Sequence, residues 1–86
     1  MTITPQRTPN PNALKFSVGV EVGGPRSYVH SNAGEDPVAE RLLAIDGVAS
    51  VFMTADFVTV SKFTEADWSD IAPLVETALG QYYQDS

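Results

Sequence analysis

Eighty-six residues are enough for one small domain and too few for two, and surface scaling gives a folded area of about 4,900 Å², roughly 63% less than the unfolded chain exposes. The chain has no cysteine, which excludes disulfides, thiolate-bound metals, a cysteine nucleophile and dithiol redox chemistry. Five Lys and Arg against eleven Asp and Glu leave a net charge of −6, so phosphate polyanions are repelled and nucleic acid is not an expected partner.

Residues 1–7 hold Pro5 among polar neighbours and are expected to form a flexible tail ahead of a single domain spanning 8–83, with 84–86 as a second short tail. Across 13–18, Leu14, Phe16 and Val18 alternate with Ala13, Lys15 and Ser17, the period of a half-buried strand. Gly19, Gly23, Gly24 and Pro25 supply turn chemistry. The chain is therefore expected to reverse and return as a second strand through Ser27, Tyr28 and Val29, closing a first hairpin with a long loop. Asp36-Pro37 reads as a helix start, because an Asp carboxylate accepts an orphan N–H and proline suits the first helical position. Val38, Leu42 and Ile45 then recur at helical spacing to about residue 46, and Gly47 follows as the stop.

Residues 48–54 and 57–63 are rich in β-branched and aromatic side chains and flank Ala55-Asp56, the pattern of a second hairpin. Val51, Met53, Val58 and Val60 share its faces on one side, and Phe52, Phe57 and Phe63 fall on the other, so an aromatic side is either covered or open to solvent. Thr64-Glu65-Ala66-Asp67 resembles a capping box, and Trp68, Ile71, Ala72, Val75, Leu79 and Tyr82 continue at helical intervals, so a helix is expected from about residue 65 to about residue 83. Pro73 cannot donate to the Ser69 carbonyl, so this helix is expected in two segments. The fold class that results is α+β: a two-layer sandwich of order β-β-α-β-β-α, with two helices on one face of a four-stranded, mainly antiparallel sheet.

Chemistry-bearing patterns are few. His30 is the one histidine, and its neighbours Ser27 and Ser31 match no nucleophile–base spacing, so an exposed or half-packed imidazole at a strand end is the simpler reading and no enzyme is expected. Asp56, Glu65, Asp67 and Asp70, with His30, are candidate oxygen and nitrogen ligands for iron or another cation, but their spacing matches no cation loop. The acids near residue 67 are explained by attraction to a helix N-terminus. The G-x-x-x-G-G run 19–24 lacks the lysine of a phosphate loop and serves a turn. With 43% hydrophobic residues the chain should fold. No apolar run approaches the ~18 residues of a membrane helix and none at the start resembles a secretory signal, so a cytoplasmic protein without a membrane partner is expected.

The most unusual stretch is Thr8-Pro9-Asn10-Pro11-Asn12, ahead of Ala13-Leu14-Lys15-Phe16. Prolines fix φ and asparagines bond neighbouring backbone, so by composition this stretch anchors the first strand. TPNPNALKF (8–16), together with IDGVASVF (45–52), DFVTV (56–60) and Asp67-Trp68, resembles the N-terminal domain of the Nfu/NifU-like iron–sulfur cluster scaffold proteins over about residues 8–83. Full-length members of that family carry a C-terminal domain whose CxxC motif holds the cluster between two protomers. The resemblance thus implies a stand-alone N-terminal domain that binds no cofactor itself and meets an iron–sulfur cluster only through a partner. It implies a non-catalytic accessory role in cluster assembly. The protein partner would be a CxxC-containing scaffold or carrier, or an apo-recipient, met through a surface including Asn10, Pro11, Asn12, Ala13, Leu14, Lys15, Phe16, Asp56 and Phe57. The alternative is a protein- or peptide-binding module outside that pathway, using the aromatic sheet face or a free strand edge.

Overall fold

The alternation read across 13–18 produces a strand whose apolar side chains point one way, and five such segments build the sheet. In the computed structural model, which describes residues 4–19 and 21–83, the strands are β1 (Thr4–Arg7), β2 (Ala13–Ser17), β3 (Gly23–Val29), β4 (Val48–Ala55) and β5 (Phe57–Lys62). The helices are α1 (Pro37–Leu43) and α2 (Trp68–Tyr83), with a 3₁₀ turn, Ala33–Glu35, ahead of α1. The strands lie in the order β1-β2-β5-β4-β3 and every neighbouring pair is antiparallel. The total exposed area, 4864 Å², matches the value that size alone implies.

Two sheet expectations are corrected. The sheet has five strands and not four, because Thr4–Arg7, expected as tail, pairs with β2 from Thr4↔Ser17 to Arg7↔Leu14. An edge strand tolerates Pro5, whose missing N–H would interrupt a central ladder. The ends of the expected tails, residues 1–3 and 84–86, lie outside the described residues. Nor do β2 and β3 form a hairpin: β5 and β4 stand between them, and β3 takes the opposite edge. Pairing β2 with β5 sets Phe16 opposite Val58 and Leu14 opposite Val60, aligning apolar residues along one face. The connection to β3 is tied to the β4–β5 turn, with Val18 N–H donating to the Asp56 carbonyl (3.0 Å) and Val22 N–H to the Ala55 carbonyl (2.7 Å).

Both helices cover the face carrying Phe16, Val51, Met53, Val58 and Val60, all buried, and add Leu42, Leu43, Ile71, Val75 and Leu79 to the same core. Helix α1 begins as expected, the Asp36 carboxylate accepting the Val38 (2.8 Å) and Ala39 (3.1 Å) N–H groups ahead of Pro37. It ends at Leu43, short of the expected residue 46, and Gly47 follows at φ +99°. A Cβ there would stand 2.9 Å from Ile71, so the close approach of α2 as well as the backbone requires glycine.

Helix α2 begins at Trp68 and not at residue 65. Its first turn is capped by Asp67, whose carboxylate accepts the Ser69 N–H (2.9 Å), while Ala66 N–H bonds the Phe63 carbonyl and holds 63–66 in a turn. The helix is also continuous through Pro73, correcting the expected two segments. Pro73 is exposed and deletes one bond early in the helix, while Ile71, Val75 and Leu79 are buried on both sides of it and hold the axis on the sheet. At the far end of α2, burial and then the Asp36 carboxylate push the Tyr83 phenol up to about 12. The folded state therefore holds the phenolic proton more tightly than the unfolded chain does. Stability is expected to fall as pH rises from about 10 to about 12, by on the order of 1 kcal/mol once solvent screening is discounted. Chemical denaturation across that window checks it, with Tyr83→Phe expected to flatten the slope.

Candidate functional site

Residues 8–12 form the β1–β2 hairpin loop, and several of their polar atoms bond within it. The Thr8 hydroxyl accepts the Asn10 N–H (3.2 Å) and donates towards the Asn10 (2.9 Å) and Ala13 (3.0 Å) carbonyls. The Asn10 Oδ1 accepts the Asn12 N–H (2.9 Å), a local turn of the kind asparagine favours. The loop is also fastened to its surroundings. The Asn12 carbonyl accepts the Lys62 N–H (2.8 Å), its Oδ1 accepts from Lys62 Nζ (3.1 Å), and the Trp68 indole N–H donates to the Pro11 carbonyl (3.0 Å). The anchoring role read from composition is thus visible atom by atom. Beside the loop lies a groove of about 370 Å³ whose walls include Arg7, Pro9, Leu14 and Trp68.

The nine residues expected at a partner surface do not form one patch. Asn10 and Pro11 are exposed and Asn12 half-buried at the loop end of β2. Ala13 is buried and Leu14 is half-buried, turned to the covered face. Phe16 is fully buried in the core, which corrects its placement at a contact surface: it sits opposite Val58 on the helix-covered side. Lys15 lies on the opposite, open face, its ammonium 4.1 Å from the centre of the Phe57 ring, an attraction between a cation and an aromatic face. Phe57 pairs with Ser17, and Asp56 occupies the β4–β5 turn, at the other end of β2 from the loop, about 13 Å along the strand. The open face continues through Thr59 to Phe52, which is 39% exposed. This face is therefore the uncovered one of the two possibilities, but it carries Phe52 and Phe57 without Phe63, which follows β5 and lines a groove beside α2 with Ile71 and Leu74.

Helical spacing alone puts Trp68 in the apolar stripe of α2, a packing position. Its part in the loop groove was legible only in the need of an indole N–H for an acceptor when half-buried. His30 donates from Nε2 to the Val48 carbonyl (2.9 Å) and stacks on Phe63 with ring centres 6.4 Å apart, an exposed imidazole held by two contacts just after β3. The candidate cation ligands are dispersed: Asp56 is at the β4–β5 turn, whereas Glu65, Asp67 and Asp70 surround the start of α2, beyond the other end of β5. Among the described residues no group of three or more His, Asp and Glu is placed to hold a metal ion. The Ser69 N–H bond, more than nearby Lys62, holds the Asp67 carboxyl below its ordinary value. Gly19, Gly23 and Gly24 all have positive φ, but Gly23 and Gly24 lie within β3 at its register shift and not in the expected turn. No helix among the described residues is long and apolar enough to cross a membrane.

Comparison with known proteins places these observations in a family. Residues 3–86 match the family described as scaffold protein Nfu/NifU N terminal. The NFU1 iron–sulfur cluster scaffold homolog, mitochondrial, of Drosophila erecta is 42% identical over 87 residues, covering 96% of this chain; the chain spans 31% of that relative's length. The crystal structure of protein SAV1430 from Staphylococcus aureus is similar at a TM-score of 0.78 and 30% identity, over 91% of this chain and 98% of that one. The solution structure of a NifU-like protein from Saccharomyces cerevisiae shares the fold at a TM-score of 0.84 and 22% identity, over 99% of this chain and 82% of that one.

Proposed function

Since the chain belongs to the Nfu/NifU scaffold N-terminal family, we propose that it is a non-catalytic interaction module of iron–sulfur cluster assembly. It acts on clusters held by a cysteine-bearing protein segment outside these 86 residues. The observation that carries this reading is the donor set: a family named for cluster scaffolding, in a chain with no thiolate to offer. Such clusters are held by Cys, with His replacing some ligands in special centres. One histidine bonded to a backbone carbonyl and scattered carboxylates do not fit that requirement. The cluster is cargo of the partner, and no chemical step is assigned to this chain.

The contact surface in this reading comprises the exposed Asn10-Pro11 loop tip and the Lys15–Phe57 pair on the open sheet face. The loop is braced by Trp68 and Lys62, so it presents a preorganised backbone that loses little freedom on binding. Titrating ¹⁵N-labelled protein with a separate CxxC-containing Nfu domain and with apo-recipient proteins is expected to shift the Asn10, Asn12, Lys15 and Phe57 amides. Unchanged resonances throughout would sink the proposal. A second reading, peptide binding outside cluster assembly, is favoured by the open aromatic face with Phe52 and Phe57. Capture from cell extract of defined partners unrelated to cluster proteins, lost on Phe52→Ser, would select it.

A further inference from the structure

The first turns of α2 separate two grooves. Trp68 lines the one beside the β1–β2 loop, and the capping Asp67 with Asp70, Ile71 and Leu74, one stripe of the same helix, line the other. This second groove has a volume of about 550 Å³, and its far wall comes from the α1–β4 connection at Asp46 and Gly47 and from Phe63 after β5. The Phe63 N–H donates to the Gly47 carbonyl (2.9 Å), joining the two sides. Its apolar lining is only partly satisfied by the fold: Ile71 is buried, but Phe63 is 45% and Leu74 54% exposed. They are among the most exposed large apolar side chains described, and they share one concavity.

Four carboxylates, Asp46, Glu65, Asp67 and Asp70, rim that apolar surface. Among the described residues the ion pair is Arg26–Asp36, so none of the four is matched by a cation within 4.0 Å. Lys62 acts on Asp67 only as a minor influence, and its ammonium is spent on the Asn12 side chain and the Phe63 and Thr64 carbonyls. The α2 dipole accounts for acids at positions 65, 67 and 70. It accounts neither for Asp46, which arrives from a different part of the chain, nor for Phe63 and Leu74 left in solvent beside unneutralised charge. Like charges gathered around an exposed apolar floor repel one another, and an apolar group flanked by cations relieves both costs at once.

We propose that this groove docks a basic, apolar peptide segment of a protein partner: one large aliphatic or aromatic side chain over Phe63, Ile71 and Leu74, flanked by Lys or Arg facing Asp46, Glu65 and Asp70. The site lies apart from the open sheet face and does not depend on the cluster-assembly reading, so either stands if the other fails. Its negative rim also steers the approach of a basic partner, and that contribution weakens as salt rises.

The test is a titration of the ¹⁵N-labelled chain with a synthetic amidated peptide of interspersed lysine and leucine, and with the same peptide carrying serine for leucine. Shifts are expected to centre on Gly47, Ala66, Asp70 and Leu74 with the leucine peptide, and to be much weaker with the serine peptide. The triple variant Asp46→Asn, Glu65→Gln, Asp70→Asn should bind roughly tenfold more weakly, from three exposed ion pairs of about twofold each. Leu74→Ser should lose about fivefold through apolar contact, and it alters a half-exposed side chain that the fold does not need. The charge-matched triple Glu21→Gln, Glu35→Gln, Glu40→Gln should stay within about twofold of the parent. Absence of shifts, shifts centred on another surface, equal binding of the serine peptide, or an equal loss in the charge-matched triple would each overturn the proposal.

Discussion

Phe16→Ala is expected to lower the free energy of unfolding by about 3–5 kcal/mol. The ring is fully buried and lies opposite Val58 in the row that faces both helices. Removing it forfeits its transfer free energy and leaves a cavity in a core that has few other large residues to close it. A domain of this size holds a total stability of about 5–15 kcal/mol, so the loss is a large fraction of the whole. Urea denaturation followed by far-ultraviolet circular dichroism measures it as a drop in midpoint. The neighbouring Lys15→Ala, which removes a half-buried cation from the Phe57 ring, should cost no more than about 1 kcal/mol. This contrast decides a functional question too, because adjacent residues of one motif then separate into a core member and a surface member. Equal, small losses at both positions would contradict the strand orientation described above.

Gly24→Ala is the second large effect, expected at about 2–6 kcal/mol, adding the strain of a forbidden backbone conformation to that of an overpacked contact. Gly24 has φ +96°, and a Cβ there would meet the Met53 carbonyl oxygen and stand 3.1 Å from both Thr54 Cα and Arg26 N. These are backbone atoms of the β3–β4 pair, where the register shifts between Gly23 and Arg26, and they cannot move aside as a flexible side chain would. Gly23 supplies the internal control. It has a similar φ of +81° but nothing within 4 Å of the Cβ position, so Gly23→Ala should cost only the conformational part, about 1–3 kcal/mol. Denaturation midpoints of the two variants give the difference directly. If Gly24→Ala proves no worse than Gly23→Ala, the close approach of β3 to β4 is wrong.

Local chemistry carried much of this molecule. The β4–β5 hairpin follows from two alternating β-branched runs around Ala55-Asp56, and the Asp36-Pro37 pair starts α1 where the carboxylate does cap it. In each case the residues that specify the element lie within a few positions of one another. The misses involve partners far apart in sequence. Thr4–Arg7 has too little apolar character to announce a strand, and it exists because β2 leaves an edge unpaired. The capping box at 64–67 was a valid local pattern, but the turn closing on Phe63 gives the cap to Asp67 alone. Pro73 carries a local penalty that the buried stripe on both sides of it outweighs.

The same division runs through function. Composition settles that no cysteine ligand comes from these 86 residues, because a donor atom is either encoded or absent, whatever the fold. Motif order points to the family for a related reason, since a turn such as 8–12 is built from bonds among its own residues. Which side chains are available to a partner is another kind of question. Alternation along β2 says that Lys15 and Phe16 face opposite ways, but only the pairing of β2 with β5, under both helices, sends Phe16 into the core and Lys15 onto Phe57. The groove joining Asp46 to Asp70 likewise arises because Gly47 and Phe63, sixteen positions apart, are bonded across the sheet's end. Long-range pairing is decided by how whole faces pack, a sum over many residues that no short stretch contains.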